Sequence, residues 1–322
     1  MRRILVLGGT GWLGNEVARA ALETGAEVVC LARGASGSVP AGARLVRADR
    51  SDPRAYDELK GDLGGEWDDV IEITYDPTWV RSALDALADK ARHWTLVSTV
   101  SVNARNDEPG ADESAALQAP DETGGYGKVK VAVEETTAAR LGDRLLTVRP
   151  GLIAGPGDPS DRFGYWPARL QGGGAVLSPT ATGRFVQVID VADLAAFIVT
   201  AGHGRRVGTI NAVGDSHPFD EVLDRIRAAT GFDGETIARD DAWLVDHGVE
   251  YWSGPRSLPL WLPAEDTGFA RRSNAAYLAA GGRLRPLRDT IARTLADELA
   301  RGLDRARRAG LTRADEAALL AS

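Results

Sequence analysis

One cysteine stands in the 322 residues, so an intramolecular disulfide is excluded and a reducing, cytoplasmic compartment is expected. That residue, Cys30, lies in the apolar run "AEVVCLAR", where a buried strand position is expected. Histidines are few, four in all. His93 starts a strand, His203 lies in a glycine-rich loop, His217 precedes Pro218 at a helix start, and His247 falls in a tryptophan-rich segment where a surface position is expected. No pair of them has metal-ligand spacing, so no metal is expected. Positive charge is in deficit: 38 Lys and Arg stand against 46 Asp and Glu, a net charge of −8. That balance argues against a nucleic-acid partner, which needs a basic face. Long apolar runs are missing too. The opening "MRRILVLGG" carries an apolar run too short for a signal peptide, and nothing later reaches transmembrane length, so no membrane association is expected.

What is present is alternation. The runs "RILVL" (3–7), "EVVCLA" (27–32), "ARLVRA" (43–48), "DDVIEIT" (68–74), "HWTLVST" (93–99) and "LLTVRP" (145–150) are short and rich in Val, Ile, Leu or Thr. Helical-looking segments separate most of them: about Leu13 to Leu22 closed by Gly25, then 78–92 and 126–141. Near-continuous apolar strands alternating with helices predict an α/β fold, a doubly wound parallel sheet covered on both faces. After Pro150 the texture changes. "GLIAGPGDPSDRFGYWP" reads as a long loop, "FVQVIDVADLAAFIVTAG" as a strand and helix, and "GTINAVG" as a further strand. Helices then alternate with "WLVDHGVEYWSGPRSLPLWLP"; 287–309 reads as helix, and "TRAD" at 312–315 as a cap for a last short one. The expected division is a dinucleotide-binding domain of 1–150 plus about 184–213, interleaved with a smaller substrate-binding lobe of about 151–183 and 214–322.

The strongest local signal is "RILVLGGTGWLGNEVARAAL". Gly9, Gly11 and Gly14 satisfy G-x-G-x-x-G, and with Gly8 the spacing also reads G-x-x-G-x-x-G. The pattern follows an apolar strand and opens a helix, the context in which it cradles a pyrophosphate on backbone N–H groups. Thr10, Trp12 and Leu13 share that turn and helix start and are candidate cofactor residues with the four glycines. The second strand ends "VVCLARG", with Arg33 and no acid. An arginine there accommodates a 2′-phosphate and favours NADP over NAD. Asp49, after the third strand, is placed for an adenine amino group or to cap the turn that follows.

"YGKVK" puts Tyr126 and Lys130 on one helix face. A nearby ammonium and a cationic nicotinamide would lower a tyrosine pKa from about 10 toward neutrality, making it an acid for a carbonyl oxygen or a base for an alcohol. "LVSTVSVNA" supplies hydroxyls at a strand end, Ser98, Thr99 and Ser101, any one of which could bond the substrate oxygen.

With these parts in hand, the chain resembles the extended short-chain dehydrogenase/reductase family, the NAD-dependent epimerase/dehydratase group. "GGTGWLG", "VSTVS", "YGKVK", "RPGLIAGPGD", "VIDVADLA", "TINAVG" and "RPLRDTI" stand in family order across almost the whole chain. The resemblance implies a Rossmann fold, with Tyr126 as general acid/base and Lys130 binding the nicotinamide ribose and depressing the tyrosine pKa. It puts Thr99 in the catalytic hydroxyl slot, and Pro150, Leu152 and Ile153 beside the nicotinamide. The departures bear on substrate. "ITYDP" replaces a small Ala-rich turn, which puts Thr74 and Tyr75 beside the cofactor and counts against a nucleotide sugar; Asn103 stands where a tyrosine is frequent. No extra acid pair for elimination adjoins Thr99.

The leading reading is an NADP-dependent oxidoreductase reducing a carbonyl or activated double bond of a small organic metabolite. Ser101, Trp166 and Arg184 are candidate substrate residues: Trp166 stands with Trp243, Trp252 and Trp261 as aromatics suited to a flat or apolar substrate, and Arg184 with Arg162 and Arg169 as the basic residues a nucleotide-sugar diphosphate would need. The alternatives are a nucleotide-sugar epimerase or dehydratase with tightly held NAD, and a non-catalytic NADP-binding sensor or scaffold. Relatives often pair through the helix bearing the Tyr-Lys motif, so a homodimer is expected.

Overall fold

The computed structural model describes residues 1–60 and 63–322. The first half runs β1 (Arg3–Leu7), α1 (Trp12–Glu23), β2 (Glu27–Ala32), β3 (Arg44–Arg47), a short α2 (Asp57–Lys60), β4 (Asp69–Glu72), α3 (Pro77–Leu87), β5 (Trp94–Val97), α4 (Tyr126–Leu141) and β6 (Leu145–Pro150). Then follow β7 (Leu152–Ala154), α5 (Arg162–Gln171), β8 (Val176–Pro179), β9 (Phe185–Asp190), α6 (Val191–His203), β10 (Gly208–Ala212), β11 (Ser216–Pro218) and α7 (Phe219–Thr230). The chain ends with β12 (Thr236–Arg239), α8 (Asp241–Asp246), β13 (Glu250–Trp252), β14 (Ser257–Pro259), α9 (Ala275–Ala279), α10 (Leu287–Arg301) and α11 (Arg313–Leu320).

Seven strands form one parallel sheet in the order β10-β6-β5-β4-β1-β2-β3. Side-chain alternation divides its core between two faces. Ile4, Val6, Val28 and Cys30 pack under α1 and α6, while Leu5, Leu7, Val29 and Leu31 pack under α3 and α4. All eight are essentially removed from water, each contributing roughly 1.5–3 kcal/mol if it is a large aliphatic. Strand order reverses between β1 and β4, and a crevice opens beyond the carboxyl ends of these strands. A third apolar cluster joins α5, α7 and α10 with β8 and part of β9. β9 pairs with β7 and β11 in a separate small sheet, whereas α6 packs on α1 and β10 joins the main sheet.

Two sequence expectations change. The Gly/Pro-rich stretch after Pro150 is not a continuous loop: it contains β7 and most of α5, with Pro167 inside the helix. Residues Phe163 to Leu170 are all buried, and this packing outweighs the local Gly and Pro signals. The helix expected over 287–309 stops at Arg301, because Gly302 takes φ 91°. The cap at "TRAD" is present, with the Thr312 hydroxyl accepting from the Asp315 N–H at 3.0 Å. Among the described residues no helix is long and apolar enough to cross a membrane, and no cluster of metal-binding side chains occurs.

Candidate active site

The glycine turn after β1 separates two demands on its residues. A Cβ on Gly14 would lie 2.2 Å from the Gly8 carbonyl oxygen, and one on Gly9 would lie 2.4 Å from the Cys30 sulfur. Those glycines serve the protein's own close approach of helix, turn and β2. Around Gly11 a Cβ would meet nothing nearer than 3.4 Å, so its lack of a side chain leaves open space at the start of α1. No side chain caps that start, and its first turn holds no acid. Free N–H groups with no competing carboxylate are what a pyrophosphate requires. The turn therefore fits a dinucleotide. Trp12 ties it to the second half of the chain, its indole N–H donating to the Pro156 carbonyl at 2.7 Å.

At the far end of β2, Arg33 is exposed with its guanidinium 5.5 Å from the Trp79 ring centre. Arg47, which no motif marks, leans across the same turn: a Cβ on Gly34 would lie 2.6 Å from its Nη1. Among the described residues neither arginine has a hydrogen-bond or ion-pair partner. Asp49 accepts from the Ser51 N–H at 3.0 Å and from its hydroxyl at 2.8 Å. These bonds, helped by the charge of Arg33, hold its carboxyl below the usual range.

Beneath the crevice lies a charged layer without a motif of its own. Glu72, fully buried at the end of β4, accepts from Arg50 at 2.8 Å and from the Thr74 N–H at 3.1 Å. Beside it, the Lys130 ammonium donates to the Val97 carbonyl at 2.7 Å and the Thr74 carbonyl at 3.3 Å. Burial lowers this lysine to about 8, against the opposing charges of Glu72 and Glu134.

A cleft of about 380 Å³ opens above this floor. Thr99, Ser101, Tyr126 and Lys130 line it from the sheet side, and Asp158, Ser160, Arg162, Trp252 and Phe269 face them. The Tyr126 ring is half exposed at the mouth, meeting Tyr75 edge-on at 5.6 Å. Its hydroxyl lies inside, and burial pushes it above the usual phenol range, against the Thr99 hydroxyl and the charge of Arg162. This differs from the expected lowering by Lys130. That ammonium is spent on main-chain carbonyls, and the cation acting on the phenol comes from α5. Thr99 accepts from the Ser101 N–H at 3.1 Å and bonds the Ser101 hydroxyl at 3.2 Å, while the buried Ser98 hydroxyl has no partner among the described residues. The arrangement offers a substrate oxygen two hydroxyls, one of them a weak acid, beside a dinucleotide crevice.

Residues 4–73 match the model of the NAD dependent epimerase/dehydratase family. A 2′-dehydrokanamycin reductase of Streptomyces kanamyceticus is 28% identical, over 88% of this chain and 82% of its own. A dTDP-6-deoxy-L-talose 4-dehydrogenase (NAD(P)(+)) of Kitasatospora kifunensis is 30% identical, over 69% of this chain and 78% of its own. The chain belongs to the NAD-dependent epimerase/dehydratase family. It is an NAD(P)-dependent enzyme of the short-chain dehydrogenase/reductase class. In fold it is similar to the UDP-glucose 4-epimerase of Thermotoga maritima, with a TM-score of 0.68 at 16% identity over 93% of this chain and 99% of that one. The Thermus thermophilus UDP-glucose 4-epimerase in complex with NAD gives 0.67 at 19% identity over 92% and 98%.

In this epimerase/dehydratase family member Trp12, Leu13, Thr99, Ser101, Tyr126, Lys130, Pro150, Leu152 and Ile153 share one cleft wall. Thr74 and Tyr75 adjoin it through Lys130 and Tyr126. Two candidate substrate residues lie elsewhere. Trp166 is fully buried in the apolar cluster of α5, α7 and α10, its indole N–H donating to the Pro259 carbonyl at 2.7 Å. Arg184 is consumed by Asp241 and the carbonyls of Thr180 and Leu262. Arg169 pairs with Glu316, Trp261 is buried, and His247 stacks on Trp243 at 3.9 Å. Trp252 and Phe269 do face the cleft, packed edge-on at 5.3 Å. Ser160 and Phe269 carry no motif, so only folding identifies them; Asp158 ends the motif "RPGLIAGPGD", but the sequence does not single it out as a cleft residue.

Proposed function

We propose that the protein is an NADP(H)-dependent reductase of a carbonyl group on a small organic substrate, with Tyr126 as proton donor. The observation that carries this is the juxtaposition of the Tyr126 phenol and Thr99 hydroxyl within a cleft bordering the glycine turn. The chemistry a nicotinamide nucleotide supplies when bound is hydride transfer to the carbonyl carbon. Tyr126 gives its proton to the carbonyl oxygen as that oxygen gains charge, and Thr99 holds the oxygen by hydrogen bonding. A phenol kept protonated by burial suits the reductive direction, in which it must donate. Lys130 uses two of its three donors on the Val97 and Thr74 carbonyls, leaving one for a ribose hydroxyl.

The nucleotide would lie from the start of α1 to the β2 end, where Arg33 and Arg47 stand free for a 2′-phosphate; this supports NADP over NAD. Oxidoreduction is favoured over epimerisation by the two relatives, named as a reductase and a dehydrogenase. The commitment of Arg169 and Arg184 to internal partners removes two of the three arginines a diphosphate could use and leaves Arg162. The test is nicotinamide fluorescence of freshly purified protein titrated with NADPH and NADH, repeated with Tyr126→Phe. Exchangeable binding that prefers NADPH, with turnover lost in the variant by about 10²–10⁴-fold, is expected. Nucleotide that co-purifies and refuses exchange would instead favour a recycled-cofactor epimerase.

A further inference from the structure

Of the four buried arginines among the described residues, three are matched to carboxylates; the fourth, Arg272, bonds the Arg105 carbonyl and the Asn106 side chain away from the cleft. Arg50 pairs with Glu72, Arg149 with Glu134 and Arg169 with Glu316, and the half-buried Arg184 pairs with Asp241. Arg162, half-buried at the cleft, has no such carboxylate partner among the described residues. Its Nε donates to the Ser160 hydroxyl at 3.2 Å, and that hydroxyl donates in turn to Asp158 at 2.9 Å. Its guanidinium carbon sits 5.0 Å from the Trp252 ring centre. Among the described residues its two terminal nitrogens have no hydrogen-bond or ion-pair partner, and the residue lines the same cleft as Tyr126.

Two strained backbone positions set this group in place. Asp161, just before α5, takes φ 60° and is held by Arg305 and by the Arg308 N–H at 2.8 Å. Trp252 takes φ 67°, its N–H donating to the Trp261 carbonyl at 3.0 Å. Non-glycine residues in this region persist only where surrounding structure over-determines them, and they cluster at ligand sites. A guanidinium clamped along its Nε edge and one face has its terminal fork left for a planar, two-oxygen acceptor.

We propose that Arg162, braced by Ser160 and Trp252, binds an oxyanion of the substrate, a carboxylate or phosphate on the same small skeleton as the carbonyl that Tyr126 protonates. This rests on the reductase reading for the carbonyl, though not for the anion. The charged and titratable groups acting on Arg162 are Asp158 and Tyr126. Asp158 is buried and already accepts both the N–H and the hydroxyl of Ser160, so it does not occupy the fork. Lys130 is committed to main-chain carbonyls. Anionic skeletons are selected, and an amino-sugar ammonium at this position is repelled.

The test is calorimetric titration of full-length protein, loaded with whichever nicotinamide nucleotide it binds, with sodium oxamate and separately with inorganic phosphate at constant ionic strength. Saturable binding of oxamate alone assigns a carboxylate, and of phosphate alone a phosphate ester. Arg162→Met should weaken the bound anion at least tenfold without changing nucleotide affinity, and Arg162→Lys should recover part of the loss. Saturation by neither anion, equal binding by Arg162→Met, or saturation by glucosamine in their place overturns the proposal. Full turnover in Tyr126→Phe would remove the reductase reading while leaving this anion result intact, so the two failures are distinct.

Discussion

The Lys130 ammonium donates to the Val97 carbonyl at 2.7 Å, and so belongs to the floor of the crevice rather than to the phenol one helical turn before it. Helical spacing puts Tyr126 and Lys130 on one side of α4, but the lysine turns under the sheet edge while the tyrosine stands at the mouth. Burial of that ammonium has a measurable cost.

Lys130 is lowered by burial from 10.5 to about 8. Between those values the unfolded chain holds a proton that the folded protein has released, so nucleotide-free protein should gain stability as pH rises through this window. Below pH 8 the penalty stays constant, on the order of 3 kcal/mol. Lys130→Met should abolish the gain: its Tm relative to wild type should be highest at pH 7 and fall by pH 10. Parallel melting curves across that range would refute the assignment.

Arg33 and Arg47 are predicted to act together on a 2′-phosphate. Changing either to Ala should raise the KM for NADPH about tenfold, one charge-assisted bond's worth, with the KM for NADH unchanged. An equal loss for both nucleotides would mean that the pair serves the fold instead.

The indole of Trp12 spans from the glycine turn to Pro156, so Trp12→Phe keeps the ring and deletes the hydrogen bond. A loss of about 1 kcal/mol in unfolding free energy is expected, measured by denaturant titration. If stability is unchanged, the bond is not holding the 151–161 segment to the turn.

His93 is buried just before β5, bonding Asp69 at 2.8 Å and the Arg206 carbonyl at 2.7 Å. Burial opposes its charge, but the hydrogen bond and charge of Asp69 prevail and hold the imidazole above its usual range. His93→Leu strands a buried carboxyl and should cost about 3–5 kcal/mol, with Asp69→Asn in the same chain recovering part. The pair sits at the opposite end of the strands from the crevice, so turnover per folded molecule should not change.

The parallel strands were legible because a strand covered on both faces needs an unbroken apolar run, as in "EVVCLA" and "LLTVRP". β7 and α5 were not, because Gly and Pro dominate local propensity while burial of residues such as Phe163 and Trp166 decides the outcome. Trp166 and Arg184 looked like substrate residues for the residue types they are. Their partners, the Pro259 carbonyl and Asp241, lie far along the chain and leave no local pattern. The Arg50–Glu72 pair and Arg47 went unmarked for the same reason.

By itself the sequence located the glycine turn and named the residues that line one wall of the cleft. A glycine turn between strand and helix, a hydroxyl-bearing strand end, and a tyrosine and lysine one turn apart are all set by short-range spacing. The opposite wall was decided by tertiary structure alone. Asp158, Ser160 and Arg162 meet Trp252 and Phe269 there only because α5 and the β13 region pack into the apolar cluster shared with α7 and α10. Contacts between segments so distant are fixed by burial and backbone closure, which have no periodicity to read.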